Sequence, residues 1–189
     1  MKMEPLRIWV RNLETKADIR KRILSLRLEQ PQEEQNKRSQ EIQKRILNNK
    51  HFCTSEWIFL YMAYKAEVQT EMLLEQALKM GKRVALPKVE DTTMDFYEIR
   101  SKIEVQPGYF GILEPITSDK VNTGQGFMAV PGVAFSKDGY RLGYGKGFYD
   151  RYLARFPGIY SCGLAFSCQM LENLPVQKHD RRLDEVVYV

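Results

Sequence analysis

Pro131-Gly132-Val133-Ala134-Phe135-Ser136-Lys137-Asp138-Gly139-Tyr140-Arg141-Leu142-Gly143-Tyr144-Gly145-Lys146-Gly147-Phe148-Tyr149-Asp150-Arg151-Tyr152 follows an apolar run, Phe127 to Pro131, and leads into a helical pattern that continues to Phe156. The run has the unbroken apolarity of a strand buried on both faces, as parallel sheets require. Glycines at alternate positions, Gly143, Gly145 and Gly147, separate the strand from the helix start. Without Cβ atoms there, backbone N–H groups can close on an anion while the helix dipole favours negative charge. Arg141 adds a guanidinium fork and Lys146 a point charge, both suited to phosphate oxygens. A turn that merely tolerates glycine is the plain alternative. The charges at Arg141, Lys146 and Asp150 weigh against it.

Two familiar nucleotide motifs do not fit this loop. Gly147 follows Lys146 where a P-loop needs a hydroxyl, and the Rossmann pattern needs its third glycine one position later. Asp150, just inside the helix, favours the dipole by its charge alone. Beside bound phosphates it has a second use as a magnesium carboxylate, and Asp184, just before a short final strand, would supply another. A solvated loop charge is the plain reading of Asp184.

Working outward, strands and helices alternate. Trp57 to Met62 reads as a buried central strand, Thr70 to Met80 as a helix closed by Gly81, and Arg83 to Pro87 as the next strand. Met94 to Ile99, Cys162 to Phe166 and Val186 to Val189 read as further strands, and Pro107 to Gly126 as a long loop. On the amino side, Thr15 and Asp18 form a capping box for a helix carrying Ile19, Ile23 and Leu26, and Pro31 starts a polar surface helix with a Ser39, Ile42, Ile46 stripe. These elements predict an α/β fold, a three-layer sandwich with a mostly parallel central sheet and helices on both faces. At about 100° per residue, Lys16 points within about 20° of Ile23, with Arg20 one turn further on. Lys16 either snorkels to water or, with Arg20, reaches phosphate oxygens.

The chain has 189 residues, 43% hydrophobic, enough for one substantial core, so a single domain over residues 1–189 is expected. Residues 1–13 lack a clean period and read as a disordered leader or a mis-assigned start. No run approaches the roughly 20 apolar residues of a membrane span, and no secretory signal is evident, so a soluble cytoplasmic protein without membrane contact is expected. Three cysteines without a CxxC pair argue against a disulfide framework or a thiolate zinc site and read as buried small hydrophobes. Residues 1–50 carry 13 Lys and Arg against 7 Asp and Glu, while the remainder carries 16 against 17. That basic third is amphipathic with interspersed acids, so a small polyanion is favoured over nucleic acid. His51 and His179 are the two histidines. His179 reads as structural, with an orienting role beside Asp180 open.

The stretch Phe135 to Asp150 resembles the phosphate-loop signature of the 5-formyltetrahydrofolate cyclo-ligase family. Lys16-Ala17-Asp18-Ile19-Arg20, Glu67-Val68-Gln69-Thr70-Glu71, Phe110-Gly111-Ile112-Leu113-Glu114-Pro115 and Leu183-Asp184-Glu185-Val186-Val187 extend the resemblance over residues 16–189. It implies an ATP- and magnesium-dependent conversion of 5-formyltetrahydrofolate to 5,10-methenyltetrahydrofolate, with small molecules as the partners; separately, a monomer is expected. It further implies that Lys16, Arg20 and the loop Arg141, Leu142, Gly143, Tyr144, Gly145, Lys146, Gly147, Phe148 and Tyr149 hold ATP, with Arg141 and Lys146 catalytic. Leu60, Glu67 and Phe110 would hold the folate together with Tyr144 to Phe148, and Asp150 and Asp184 the magnesium. Phe148 stands where many relatives carry tyrosine. Such chemistry needs positioning and charge neutralisation rather than a protein nucleophile, which suits these residues. Another ATP-dependent ligase or small-molecule kinase, or a basic nucleic-acid-binding protein with salt-steep binding, remains the alternative. Lys146→Ala and Asp150→Ala are expected to lower turnover far more than they disturb folding.

Overall fold

A computed structural model describes residues 14–189, and the leader expected over residues 1–13 lies outside them. Helix α1 (Lys16–Leu28) starts as read: the Thr15 hydroxyl accepts from the Asp18 N–H and the Asp18 carboxylate accepts from the Thr15 N–H, each at 3.2 Å. Helix α2 (Gln32–Leu47) follows Pro31 and buries Ser39, Ile42 and Ile46. Helix α3 (Lys50–Thr54) is capped by Asn49, and α4 (Glu71–Lys79) ends before Gly81. The strands are β1 (Trp57–Phe59), β2 (Arg83–Glu90), β3 (Thr93–Ile99), β4 (Val105–Pro107), β5 (Leu113–Pro115), β6 (Gly126–Val130), β7 (Ala134–Ser136), β8 (Arg141–Leu142), β9 (Ile159–Ala165), β10 (Met170–Leu171) and β11 (Glu185–Tyr188). Helix α5 (Phe148–Arg155) lies between β8 and β9.

Six strands form the main sheet in the order β11-β9-β6-β1-β2-β3. Every pairing is parallel except the β2–β3 hairpin at the edge. The strand period of two sends alternate side chains to opposite faces. Ile58, Leu60, Val84, Leu86, Phe127, Ala129 and Leu164 pack with residues of α2, α3 and α4. Phe59, Ala85, Met128, Val130 and Ala165 pack with Tyr152 and Leu153 of α5. On that second face Phe135 of the small sheet β10-β7-β8 joins the same core, so helix and sheet share the covering. Helix α1 packs on the small sheet, burying Ile19 and Ile23 against Val133, Ala134 and Leu142. Each such aliphatic side chain contributes about 1.5–3 kcal/mol.

This topology positions the site. From β1 the chain moves to β2 on one side, and from β6 to β9 on the other, so the adjacent strands β1 and β6 mark a switch point. Loops leaving the carboxyl ends of two such strands diverge and leave a crevice, the usual ligand position in open parallel sheets. The loop after β1 carries Glu67, and the connection after β6 carries the glycine stretch.

The apolar run at 57–62 is a strand only to Phe59. Leu60 still donates to the Ala85 carbonyl at 3.0 Å, after which the chain turns away, with the Tyr61 hydroxyl bonded to the Val68 carbonyl at 2.8 Å. The 107–126 loop contains β5, paired with β4. All three cysteines are free, but Cys162 alone is buried; Cys53 is exposed and Cys168 intermediate. Among the described residues, no helix is long and apolar enough to cross a membrane. Gly126, at φ +144°, opens β6 with no room for a side chain, since a Cβ would lie 2.7 Å from the Trp57 carbonyl oxygen. Gly126→Ala is expected to destabilise by about 1–3 kcal/mol in urea unfolding, through backbone strain and this clash.

Candidate active site

The glycine loop leaves β8 and enters α5 through Gly145 (φ +102°) and Gly147 (φ +66°), left-handed conformations that glycine adopts without steric cost. Gly147 is the N-cap of α5 and supplies no side-chain cap, which leaves first-turn N–H groups for another partner. From α1, the Arg20 Nε donates to the Gly143 carbonyl at 2.8 Å. Lys146 is exposed, and its ammonium has no hydrogen bond or ion pair among the described residues; Arg151 donates to its carbonyl at 2.8 Å and to Thr92 at 3.0 Å, bracing the loop. Leu142 is buried against α1, and its carbonyl accepts from the Val133 N–H at 2.7 Å. Phe148 lies half-buried under the Arg151 guanidinium, 5.3 Å from its ring centre. An uncapped helix start with two cations beside it is equipped for phosphate oxygens.

Arg141, read as a guanidinium fork for phosphate oxygens, turns inward onto a carboxylate. Its side chain is 4% exposed, donates to Asp150 Oδ2 at 2.9 Å and lies 5.3 Å from the Tyr149 ring centre. Burial pulls the Arg141 pKa down and pushes that of Tyr149 up. Asp150 Oδ1 accepts from the Arg181 N–H at 3.3 Å. Asp184 Oδ2 accepts from the Ser161 N–H at 2.8 Å and the Ser161 hydroxyl at 2.7 Å. The two carboxylates thus have separate partners, and no cluster of three metal-ligating side chains forms among the described residues. Lys16 is also engaged, bonding Asp180 Oδ2 at 2.6 Å and Gln177 Oε1 at 3.3 Å. Those contacts join α1 to the segment that reaches Asp150.

Glu67 is 6% exposed and receives the Tyr64 N–H at 3.0 Å. Burial raises its pKa, against the pull of the Tyr64 N–H, the Arg27 charge and the Tyr144 hydroxyl. Tyr144, from the glycine loop, lies edge to face with Tyr64, ring centres 6.4 Å apart. The loop and the segment after β1 therefore meet at Glu67. Leu60 is a correction: it is fully buried in the core and presents no surface to a ligand, because it continues the β1 ladder by one residue. Phe110 stands at the turn between β4 and β5, at φ +53° and 70% exposed. His179 is exposed and lies 3.9 Å from Asp180.

Arg27 and Arg151 escaped the sequence reading. Arg27 is 1% exposed, donating to the Gly132 carbonyl at 3.2 Å and to the Tyr144 hydroxyl at 3.1 Å. Its one signal is spacing, four residues after Ile23 and eight after Ile19 on the buried stripe.

A mostly parallel sheet with a glycine loop and a buried carboxylate at its switch point is the architecture of an α/β enzyme. Residues 12–189 match the sequence profile of the 5-formyltetrahydrofolate cyclo-ligase family. The 5-formyltetrahydrofolate cyclo-ligase of Mus musculus is 29% identical, the match covering 92% of this chain and 91% of the relative. The solution structure of Aquifex aeolicus 5,10-methenyltetrahydrofolate synthetase superposes with a TM-score of 0.83 at 38% identity, over 92% of this chain and 89% of that one. The synthetase of Mycoplasma pneumoniae gives 0.70 at 27% identity, over 90% and 96%. The chain belongs to the 5-formyltetrahydrofolate cyclo-ligase family of enzymes.

Proposed function

We propose that this enzyme converts 5-formyltetrahydrofolate to 5,10-methenyltetrahydrofolate with ATP, releasing ADP and phosphate. The observation that carries the proposal is the meeting of the glycine loop and Glu67 at the β1–β6 switch point, where a phosphate donor and a heterocycle can lie side by side. The formyl oxygen attacks the γ-phosphorus, the bond to the bridging oxygen breaks, and ADP leaves. The N10 lone pair then attacks the formyl carbon, N10 loses its proton, and the carbon–oxygen bond breaks to release phosphate.

The first-turn N–H groups of α5, the loop from Gly143 to Phe148, Arg20 and Lys146 neutralise the transferred group and hold it in line. Glu67 accepts hydrogen bonds from the pterin N–H groups. Tyr144 and Phe110 wall the folate. Arg141 acts from beneath the loop by holding Asp150 and Tyr149, and Lys16 acts through the Asp180 segment. Magnesium, when bound, would supply charge neutralisation on the phosphates. Mg²⁺ on a nucleotide takes most of its shell from phosphate and water, so one or two carboxylates suffice: Asp150 would offer Oδ1 while Oδ2 stays on Arg141, and Asp184 the oxygen that Ser161 does not hold. The proposal includes a cytoplasmic, monomeric enzyme.

The test is to mix protein, ATP, magnesium and 5-formyltetrahydrofolate and follow methenyltetrahydrofolate by its absorbance. One ADP per product is expected, with no turnover when either substrate is omitted. Turnover of ATP with another acceptor while 5-formyltetrahydrofolate stays untouched would overturn the assignment.

A further inference from the structure

Arg27 is among the largest fully buried side chains, set where α1 meets the glycine loop. Its Nε is buried and has no hydrogen-bond partner among the described residues. No carboxylate is within ion-pair distance of it among those residues, so its charge is held by the Gly132 carbonyl and the Tyr144 hydroxyl. A charge buried this way is costly, and a methionine of similar size would fill the space at less cost. The position therefore answers to something beyond packing.

Hydrogen-bond direction supplies that purpose. A guanidinium only donates, so the Tyr144 hydroxyl accepts from Arg27 and keeps its single proton for another acceptor. Tyr64 brings that ring to Glu67, its N–H on the carboxylate at 3.0 Å and its own ring edge to face with Tyr144, and the Tyr144 hydroxyl acts to lower the Glu67 pKa. Arg27 from α1, Tyr144 from the loop and Glu67 from the segment after β1 thus form a directed chain ending at the carboxylate. Among the described residues, Tyr61 of its own segment, Tyr144 and Tyr149 interact electrostatically with Glu67, and Tyr64 holds it through its N–H. Burial pushes the Tyr144 phenol up to about 12 and raises Tyr61 and Tyr149 as well, so all three stay neutral. Glu71 of α4 also acts on Tyr61. Arg27 is the positive charge that acts on Glu67 among the described residues.

We propose that Arg27 is a positioning residue for substrate binding, which orients the Tyr144 hydroxyl and through it holds Glu67 as the carboxylate that accepts the pterin N–H groups. The inference rests on the folate reading given above. Burial already raises the Glu67 pKa, so the accepting form is present above that pKa and is lost as pH falls through it. Removing Arg27 moves that loss to higher pH.

The experiment compares the pH dependence of kcat/KM for 5-formyltetrahydrofolate, and the KM for ATP, in wild type, Arg27→Met, Arg27→Lys and Tyr144→Phe. In Arg27→Met the acid limb is expected to move up by about one pH unit and the folate KM to rise about tenfold at neutral pH, with the ATP KM within about twofold of wild type. Arg27→Lys, which restores the charge, is expected to return the limb to its wild-type position. A folded Arg27→Met with an unmoved limb overturns the proposal, as does a uniform loss in kcat and both KM values at every pH. Should Arg27→Met fail to fold, Tyr144→Phe decides, because that partly exposed ring can lose its hydroxyl without emptying the core. Its limb must move the same way, and an unmoved limb overturns the proposal. Wild-type protein that forms no methenyl product would instead remove the folate reading on which the inference stands.

Discussion

Lys146→Ala is expected to lower turnover about a hundredfold or more, the usual cost of removing one preorganised electrostatic contact to a transition state. The fold should not notice. Lys146 is exposed, its ammonium holds nothing among the described residues, and the loop around it is braced through backbone contacts with Arg20 and Arg151 that the substitution leaves in place. Surface changes of this kind stay within about 0.5 kcal/mol in stability. Steady-state assays with both substrates, set beside urea unfolding, separate the two quantities. Wild-type turnover in this variant would take Lys146 out of the transition state.

Asp150→Ala is expected to lose activity and stability together, contrary to the sequence-based expectation that it spares the fold. The reason is Arg141, whose side chain is 4% exposed and has Asp150 Oδ2 at 2.9 Å. Deleting the acid leaves a buried guanidinium without its counter-charge, which costs about 3–5 kcal/mol. The double variant Arg141→Met with Asp150→Leu removes both charges and is expected to recover most of that stability while remaining inactive. Urea midpoints of Arg141→Met, Asp150→Leu, the double variant and the wild type make the cycle. An Asp150→Ala protein as stable as wild type would show that the pair does not carry the charge.

The alternation of strands and helices was legible because parallel strands leave unbroken apolar runs and the helices carry caps; Phe127 to Val130 and Thr15 with Asp18 are cases in point. Periodicity could not tell burial in a strand from burial in a folded loop. Leu60 and Tyr61 are as buried as Phe59, but they cover the core from the segment that carries Glu67. The β4–β5 pair was hidden by its short strands and by the turn residues around Gly108 and Gly111. At the site, the glycines and Lys146 were readable as local chemistry, and so was Arg20 from its helix face. The partners were not. Arg141 and Asp150 are nine residues apart with no helical or strand spacing between them, and Arg27 meets Gly132 across 105 residues, so each pairing is a product of the tertiary fold.

The contacts of α1 bear on how the protein is made. Lys16 bonds Asp180, Arg20 bonds Gly143 and Arg27 bonds Gly132, all more than a hundred residues downstream. A thirteen-residue helix is marginal by itself in water. When the chain emerges from a ribosome, its earliest described segment therefore meets these partners only after residues 132–143 have followed, and the Asp180 tie later still. A nascent chain halted before residue 180 would lack both the Lys16–Asp180 tie at the start of α1 and the edge strand β11.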